Sequence, residues 1–98
     1  MDEFEWDARK AEANFKKHGV TFEDALTVFT DPLAKIFDDS DHSADEHREL
    51  IVGHSAGQRL LVVSFTERHH RVRLIGARTA TAAERKRYEE NLKAESES

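Results

Sequence analysis

The spacing of apolar positions changes along this chain, and the changes mark its elements. Residues 4–7, FEWD, alternate apolar with acidic side chains and predict a short first strand. The spacing then lengthens. In ARKAEANFKKH, Ala11, Phe15 and His18 lie four and three residues apart, which predicts a helix with those positions on its inner stripe. Asp7 is its predicted cap and Gly19, in the C′ position, its stop. Lys16 and Lys17 fall in the last turn, where cations favour the helix dipole. TFED opens a second helix: Thr21 with Asp24 three residues on has the outline of a capping box. Phe22, Ala25, Leu26 and Phe29 supply the apolar face, and Asp31-Pro32 ends it.

Beyond Pro32 the period drops to two. AKIFDD (34–39), HRELIVGHS (47–55), RLLVVSFTER (59–68) and VRLIGAR (72–78) predict four strands. Their connections are a polar loop, SDHSADE, a turn at SAGQ (55–58) and a turn near His69-His70. The run 59–68 is the most apolar and is expected at the centre of the sheet. Leu50 and Val52 should share one face of the strand before it. Thr81 with Glu84 starts a last helix running through about Leu92, and the tail, about 94–98, lacks core-forming residues and should fray. The predicted fold class is α+β, in the order β-α-α-β-β-β-β-α, with a curved antiparallel sheet packed by helices on one face.

Composition narrows this outline. Ninety-eight residues are too few for a second core, so a single domain spanning 1–98 is expected. At 38% hydrophobic and 36% charged the core is thin, and bound partners can add to its stability. The absence of cysteine excludes disulfides, a thiol nucleophile and a Cys-ligated zinc. No apolar run approaches the roughly 20 residues of a membrane span. The acidic start MDEFEWD is unlike a signal peptide, so no membrane partner and a cytoplasmic location are expected.

The formal net charge of −5 conceals a segregation of signs. Residues 1–49 carry 6 Lys/Arg against 14 Asp/Glu, a net of −8, whereas residues 50–98 carry 9 against 6, a net of +3. Within 59–87 the count is 8 against 2, a net of +6. An acidic protein can therefore own a basic surface, the feature that a phosphate backbone senses. The plain alternative is the solvated face of a sheet, and composition does not choose between them.

Position does more. On residues 72–78, alternation puts Val72 and Leu74 on one face and Arg71 and Arg73 on the other. Arg78 then shares the Val72 face, unless a bulge at Gly76 reverses the parity. Arg68 closes the neighbouring strand, and Arg85, Tyr88 and Leu92 line one stripe of the last helix. A curved sheet can gather Arg68, Arg73, Arg78, Arg85 and Tyr88. Guanidinium groups grip phosphate in bidentate fashion and stabilise charge developing in phosphodiester cleavage. For Arg71 and Arg87, aliphatic stems covering the sheet are the simpler reading; for Arg78 the functional one is ahead. His18, at a helix end, suits a general acid or base, although a plain C-cap histidine is the simpler reading of that position alone. Trp6 can stack on a base, although a lone Trp in a thin core more often packs. The remaining histidines show no HExxH or HxH spacing, so no metal and no cofactor is expected. No Ser/His/Asp pattern, P-loop or GxGxxG is present.

Several segments together resemble one family. FEWDARKAEANFKKHGVTFEDALTVFTDP is similar to the opening signature of BrnT-type toxins, an F-x-W-D strand followed by K-x-x-x-N-x-x-K-H-G-V and an F-x-x-A…F-x-D-P helix. GARTATAAERKRYEE resembles the family's S-A-R-x-A-T-x-x-E-R-x-x-Y ending, and the strands between occupy the expected places. The resemblance covers about residues 4–90. It implies a RelE-like fold and a bacterial type II toxin: a ribonuclease that cuts RNA, free or on the ribosome, and arrests growth. It also implies a cognate BrnA-like antitoxin whose DNA-binding part represses the operon, in a heterotetramer built on an antitoxin dimer. Carried over position by position, the family's functional residues fall on Lys17 and His18 of KHG, on Arg48, on Arg68, and on Arg78, Arg85 and Tyr88. Arg71, Arg73, Arg87 and Trp6 are expected beside them as RNA contacts. Gly76 departs from the family's serine and is expected to loosen the strand end that aims Arg78. Cleavage is expected without metal. The competing expectation is a non-catalytic toxin that serves only as an antitoxin- or nucleic-acid-binding module; a His-based metallo-phosphodiesterase ranks last.

Overall fold

The computed structural model describes residues 3–39 and 47–97; the polar loop expected over 40–46 lies outside them. The elements are β1 (Glu3–Glu5), α1 (Ala8–His18), α2 (Phe22–Leu26) continued by a 3-10 turn (Thr27–Thr30), β2 (Lys35–Asp38), β3 (Glu49–His54), β4 (Leu60–Arg68), β5 (Arg71–Thr79) and α3 (Ala82–Glu97).

The local signals act where the sequence puts them. The Asp7 carboxylate accepts from the N–H groups of Arg9 and Lys10, satisfying donors that the first turn of α1 leaves free. Gly19 closes α1 at φ 69°, a left-handed conformation that needs no Cβ. The Thr21 hydroxyl accepts from the N–H of Asp24 at 3.1 Å. Thr81 and Glu84 form a reciprocal box, with N–H to side-chain distances of 3.1 and 2.9 Å. His69 and His70, both at positive φ, make the tight turn that joins β4 to β5. α3 runs to Glu97, past the end expected near Leu92.

All five strands form one sheet, ordered β1-β5-β4-β3-β2, with β4 at its centre. The sheet is mixed rather than wholly antiparallel, because β1 runs parallel to β5. Short turns dictate antiparallel pairing only among β3, β4 and β5, and β2 also pairs antiparallel with β3. β1 reaches its neighbour through the rest of the fold, so no turn constrains its direction.

Helices also lie on both faces rather than one. α1, α2 and the 3-10 turn cover the face where Val20, Phe22, Ala25 and Val28 meet Ile51, Leu61, Val63, Phe65, Val72 and Leu74. An edge-to-face series, Phe4 on Phe29 and Phe29 on Phe65 with centroids 5.0 Å apart, closes one end of this core. α3 crosses the opposite face, where Tyr88 and Asn91 approach Leu50, Val52 and Val62. The inner stripe of α1 is Ala11 and Asn14; Phe15, expected there, is 53% exposed. What displaces Phe15 is a backbone need on β5.

Candidate functional site

β5 carries one residue more than β4 opposite it. Ser64 pairs with Gly76 and Phe65 with Leu74, which leaves Ile75 as a bulge. Side-chain parity reverses there. Val72 and Leu74 point into the core before the bulge and Ala77 after it. On the other face Arg71 and Arg73 are followed by Gly76 and Arg78, so Arg78 does not share the Val72 face. The reversal that alternation admitted only as an exception is the observed state. It puts Arg73 and Arg78 on one face, opposite Thr66 and Val62, roughly 13 Å apart at a strand's ~3.3 Å rise per residue.

β1 stops at Glu5, opposite Arg73, so the upper half of β5 has no strand on the edge away from β4. Asn14 of α1 fills that gap. Its Oδ1 accepts from the N–H of Ala77 at 3.1 Å, and its Nδ2 donates to the carbonyls of Ala77 (2.9 Å) and Val20 (3.1 Å). A buried side-chain amide thus supplies the donor and acceptor a neighbouring strand would have supplied. One turn further on, His18 reaches the uncovered face. There it lines a hollow of about 180 Å³ with Leu50, Val62, Ser64, Gly76 and Arg78.

Arg78 is itself held. Its Nη1 and Nη2 donate to the two carboxylate oxygens of Glu84 at 2.7 and 2.9 Å. That bond raises the affinity of Arg78 for its proton, so its charge is permanent. It also takes the Glu84 carboxyl from 4.5 down to about 2, outweighing burial, with Thr81 contributing. One carboxylate both caps α3 and clamps the arginine.

Tyr88 has a different environment. It is 4% exposed, and its hydroxyl donates to Asp31 Oδ2 at 3.2 Å. Burial, then the Asp31 charge and this bond, push the phenol up to about 12. Burial pushes the Asp31 carboxyl up. The N–H groups of His54 and Leu33, the Tyr88 hydroxyl and the His54 ring outweigh it and hold the group below 3.8. His54 also stacks edge-on against Tyr88 at 5.5 Å. The network fastens α3 to the end of β3.

The structure therefore brings His18 and Arg78 together and spreads the other expected residues. Arg68, Arg71 and Arg73 occupy the same face as Arg78, nearer the 69–70 turn, and Arg71 pairs with Glu3 (3.5 Å) and Glu5 (3.7 Å) of β1. Arg48 is half-buried just before β3, in the row continued by Leu50 and Val52. Lys17, Arg85 and Arg87 are exposed, and Arg87 lines a second hollow, beneath α3. Trp6 packs edge-on against Phe22 at 5.9 Å as part of the core. The residue-by-residue reading did not single out Asn14, although a polar residue on an inward helical stripe is a signal in itself, since such a group must find partners. Glu84 was legible as a cap but not as the clamp on Arg78.

Among the described residues, Asp38, His47 and Glu49 have side-chain ligand atoms within 4.8 Å of one another, a spacing that suits a metal. His47 Nε2 lies 3.1 Å from Asp38 Oδ1. Strand alternation puts Asp38 and Glu49 with Ile36 and Ile51, on the face away from Arg78. There His47 lies beside two carboxylates that face each other across the β2–β3 pair.

A small α+β domain that lifts arginines and a histidine onto the less covered face of its sheet is suited to meet a polyanion. The comparisons agree with that class. The profile of the family described as "Ribonuclease toxin, BrnT, of type II toxin-antitoxin system" matches residues 6–84. The crystal structure of the Brucella abortus ribonuclease toxin BrnT superposes with a TM-score of 0.65 at 26% identity, covering 83% of this chain and 99% of that one. No curated protein matches closely enough to count as a relative. The chain belongs to the BrnT family of ribonuclease toxins of type II toxin–antitoxin systems.

Proposed function

We propose that the protein is a metal-independent endoribonuclease with a RelE-like fold, cutting RNA in the hollow that His18 and Arg78 share. That shared hollow is the observation that carries the reading. The RNA 2′-hydroxyl attacks the adjacent phosphorus, the bond to the 5′-oxygen breaks, and a 2′,3′-cyclic phosphate and a 5′-hydroxyl result. Arg78 stabilises the charge on the phosphoryl oxygens, using guanidinium N–H groups that Glu84 does not engage. His18 takes the proton of the 2′-hydroxyl, the general-base role open to an imidazole, and the departing 5′-oxygen takes a proton from solvent. Arg68 and Arg73 on the same face, with Lys17, Arg48, Arg71, Arg85 and Arg87, add positive potential along the RNA path. Tyr88, its hydroxyl committed to Asp31 and its pKa about 12, fits the role of anchoring α3 better than that of a proton donor. Trp6 fits the core.

The type II class implies an antitoxin partner. We assign it a BrnA-like chain that covers the basic face, carries the operator-binding function and assembles the heterotetramer; a cytoplasmic location and growth arrest follow from cutting cellular RNA.

The test is RNA cleavage in EDTA by the native protein and by Arg78→Ala, the variant's fold checked by circular dichroism. Cleavage is expected to survive the chelator and to fall about 10²–10³-fold in the variant, as for loss of one preorganised donor to a developing anion. Loss of cleavage in EDTA, or products ending in a 3′-hydroxyl, would overturn the mechanism. RNA left intact by the native protein would favour a non-catalytic binding module, the reading to which the Arg78–Glu84 pairing lends support.

A further inference from the structure

Beside the His18–Arg78 hollow lies a second one of about 220 Å³, beneath α3. The two are neighbours. Leu50 and Val62 line both, and Glu84, the partner of Arg78, lines the second. Its floor is apolar, Leu50 and Val52 of β3 with Val62 of β4. Two aromatic rings face it: Tyr88, packed in place from α3, and Phe37 of the edge strand β2, which is 42% exposed. An exposed aromatic on an edge strand is costly to leave bare, since it invites association. The polar residues that line it are Lys35, Glu84, Arg87 and, one turn beyond Tyr88, Asn91 with its carboxamide.

The size is informative. Pockets for drug-sized ligands run to about 300–1,000 Å³, so this hollow suits one planar ring system. An apolar floor, an aromatic wall, one amide with both donor and acceptor, and an adjacent guanidinium are the features that hold a single unpaired base and the phosphate next to it. We infer that this hollow is a nucleobase subsite: one base of the RNA strand stacks on Phe37, Asn91 hydrogen-bonds its edge, and Arg87 meets the neighbouring phosphate, while Arg78 holds the phosphate to be cut. The inference rests on the ribonuclease reading of the Arg78 hollow and adds to it a pocket that fixes where along the strand the cut falls.

A strand that cannot be cleaved tests it. A 2′-O-methyl oligonucleotide binds the native protein, and its bases are removed one at a time to leave abasic positions. Removing one base is expected to weaken binding about 5- to 150-fold, the range for one base stacked on an aromatic side chain. In Phe37→Ala that position should become indifferent, and in Phe37→Tyr it should keep its weight. Arg78→Ala should weaken all the strands together. Because Phe37 lies outside the buried core cluster and is 42% exposed, its truncation should leave that core intact. A flat abasic profile in the native protein, or a profile unchanged in Phe37→Ala, would overturn the subsite while leaving cleavage at Arg78 standing. A native protein that binds no strand at all would overturn both. If Phe37→Ala keeps the profile and instead loses neutralisation by an antitoxin, the hollow is a protein-docking site and the base subsite is wrong.

Discussion

Along β4, Leu61, Val63 and Phe65 point at the first two helices and are 0–2% exposed; of the residues that point the other way Leu60, Val62 and Thr66 are also buried, while Ser64 and Arg68 keep access to solvent. The two faces of one strand thus do different work. The helix-covered face is filled by aliphatic and aromatic side chains from every part of the chain, and its value is burial. The other face has hollows, a histidine, ion pairs and a row of arginines. α3 covers it only in part and sends into it one buried side chain, Tyr88, among those described. A domain of this size cannot bury both faces fully. The one left open is where charge can be gathered at modest cost, because water still solvates it.

Four substitutions and one control would sharpen or break this contrast. The largest effect on stability is expected from the closed face: Leu61→Ala, at a fully buried site on the central strand, should cost about 2–5 kcal/mol in chemical denaturation. If it costs no more than removing an open-face side chain, the contrast fails.

Asn14→Ala comes next, because Asn14 belongs to both faces. It takes the side-chain partner from the N–H and carbonyl of Ala77, at about 1–3 kcal/mol, since the smaller side chain leaves room for water to replace part of what is lost. It also frees the bulge that aims Arg78, so cleavage should fall together with stability.

Glu84→Gln is expected to have a smaller effect, confined to a pH window. The Glu84 carboxyl is depressed to about 2, so its contribution is present above its unfolded value near 4.5 and is lost as pH falls towards 2. Native and variant melting temperatures should differ at neutral pH and converge below about pH 4. Both side chains are about a third exposed, so solvent screening keeps the difference modest. A gap that persists at pH 2 would remove the ion pair as its cause.

The smallest effect is expected at Gly76. A Cβ there would lie 3.6 Å from Asn14 Oδ1, ordinary contact, so Gly76→Ser should fit and raise stability by about 0.4–1 kcal/mol through the unfolded chain. Gly53→Ala is the control: its Cβ would lie 2.8 Å from Ala34 Cβ and 2.9 Å from Asp31 Oδ2, and it should destabilise.

Much of this was legible in the chain. The caps at Asp7, Gly19, Thr21 and Thr81–Glu84 need only groups within three or four residues of one another, so their chemistry is written locally. The centrality of β4 follows from an unbroken apolar run, and the shared face of Leu50 and Val52 from a period of two. The arginines of the second half announced a basic surface inside an acidic protein. Ile75 gave no such warning. A bulge is a mismatch between two strands, and neither strand alone contains it. Nor could the parallel β1 be read, or the approach of Asn14 to Ala77 across 63 residues. These depend on which backbone groups remain unpaired once the sheet has formed. The residue types present and their local conformations belonged to the sequence. Which arginines share a face with His18 was decided by tertiary pairing, because one extra residue in β5 turns every side chain beyond it to the opposite side.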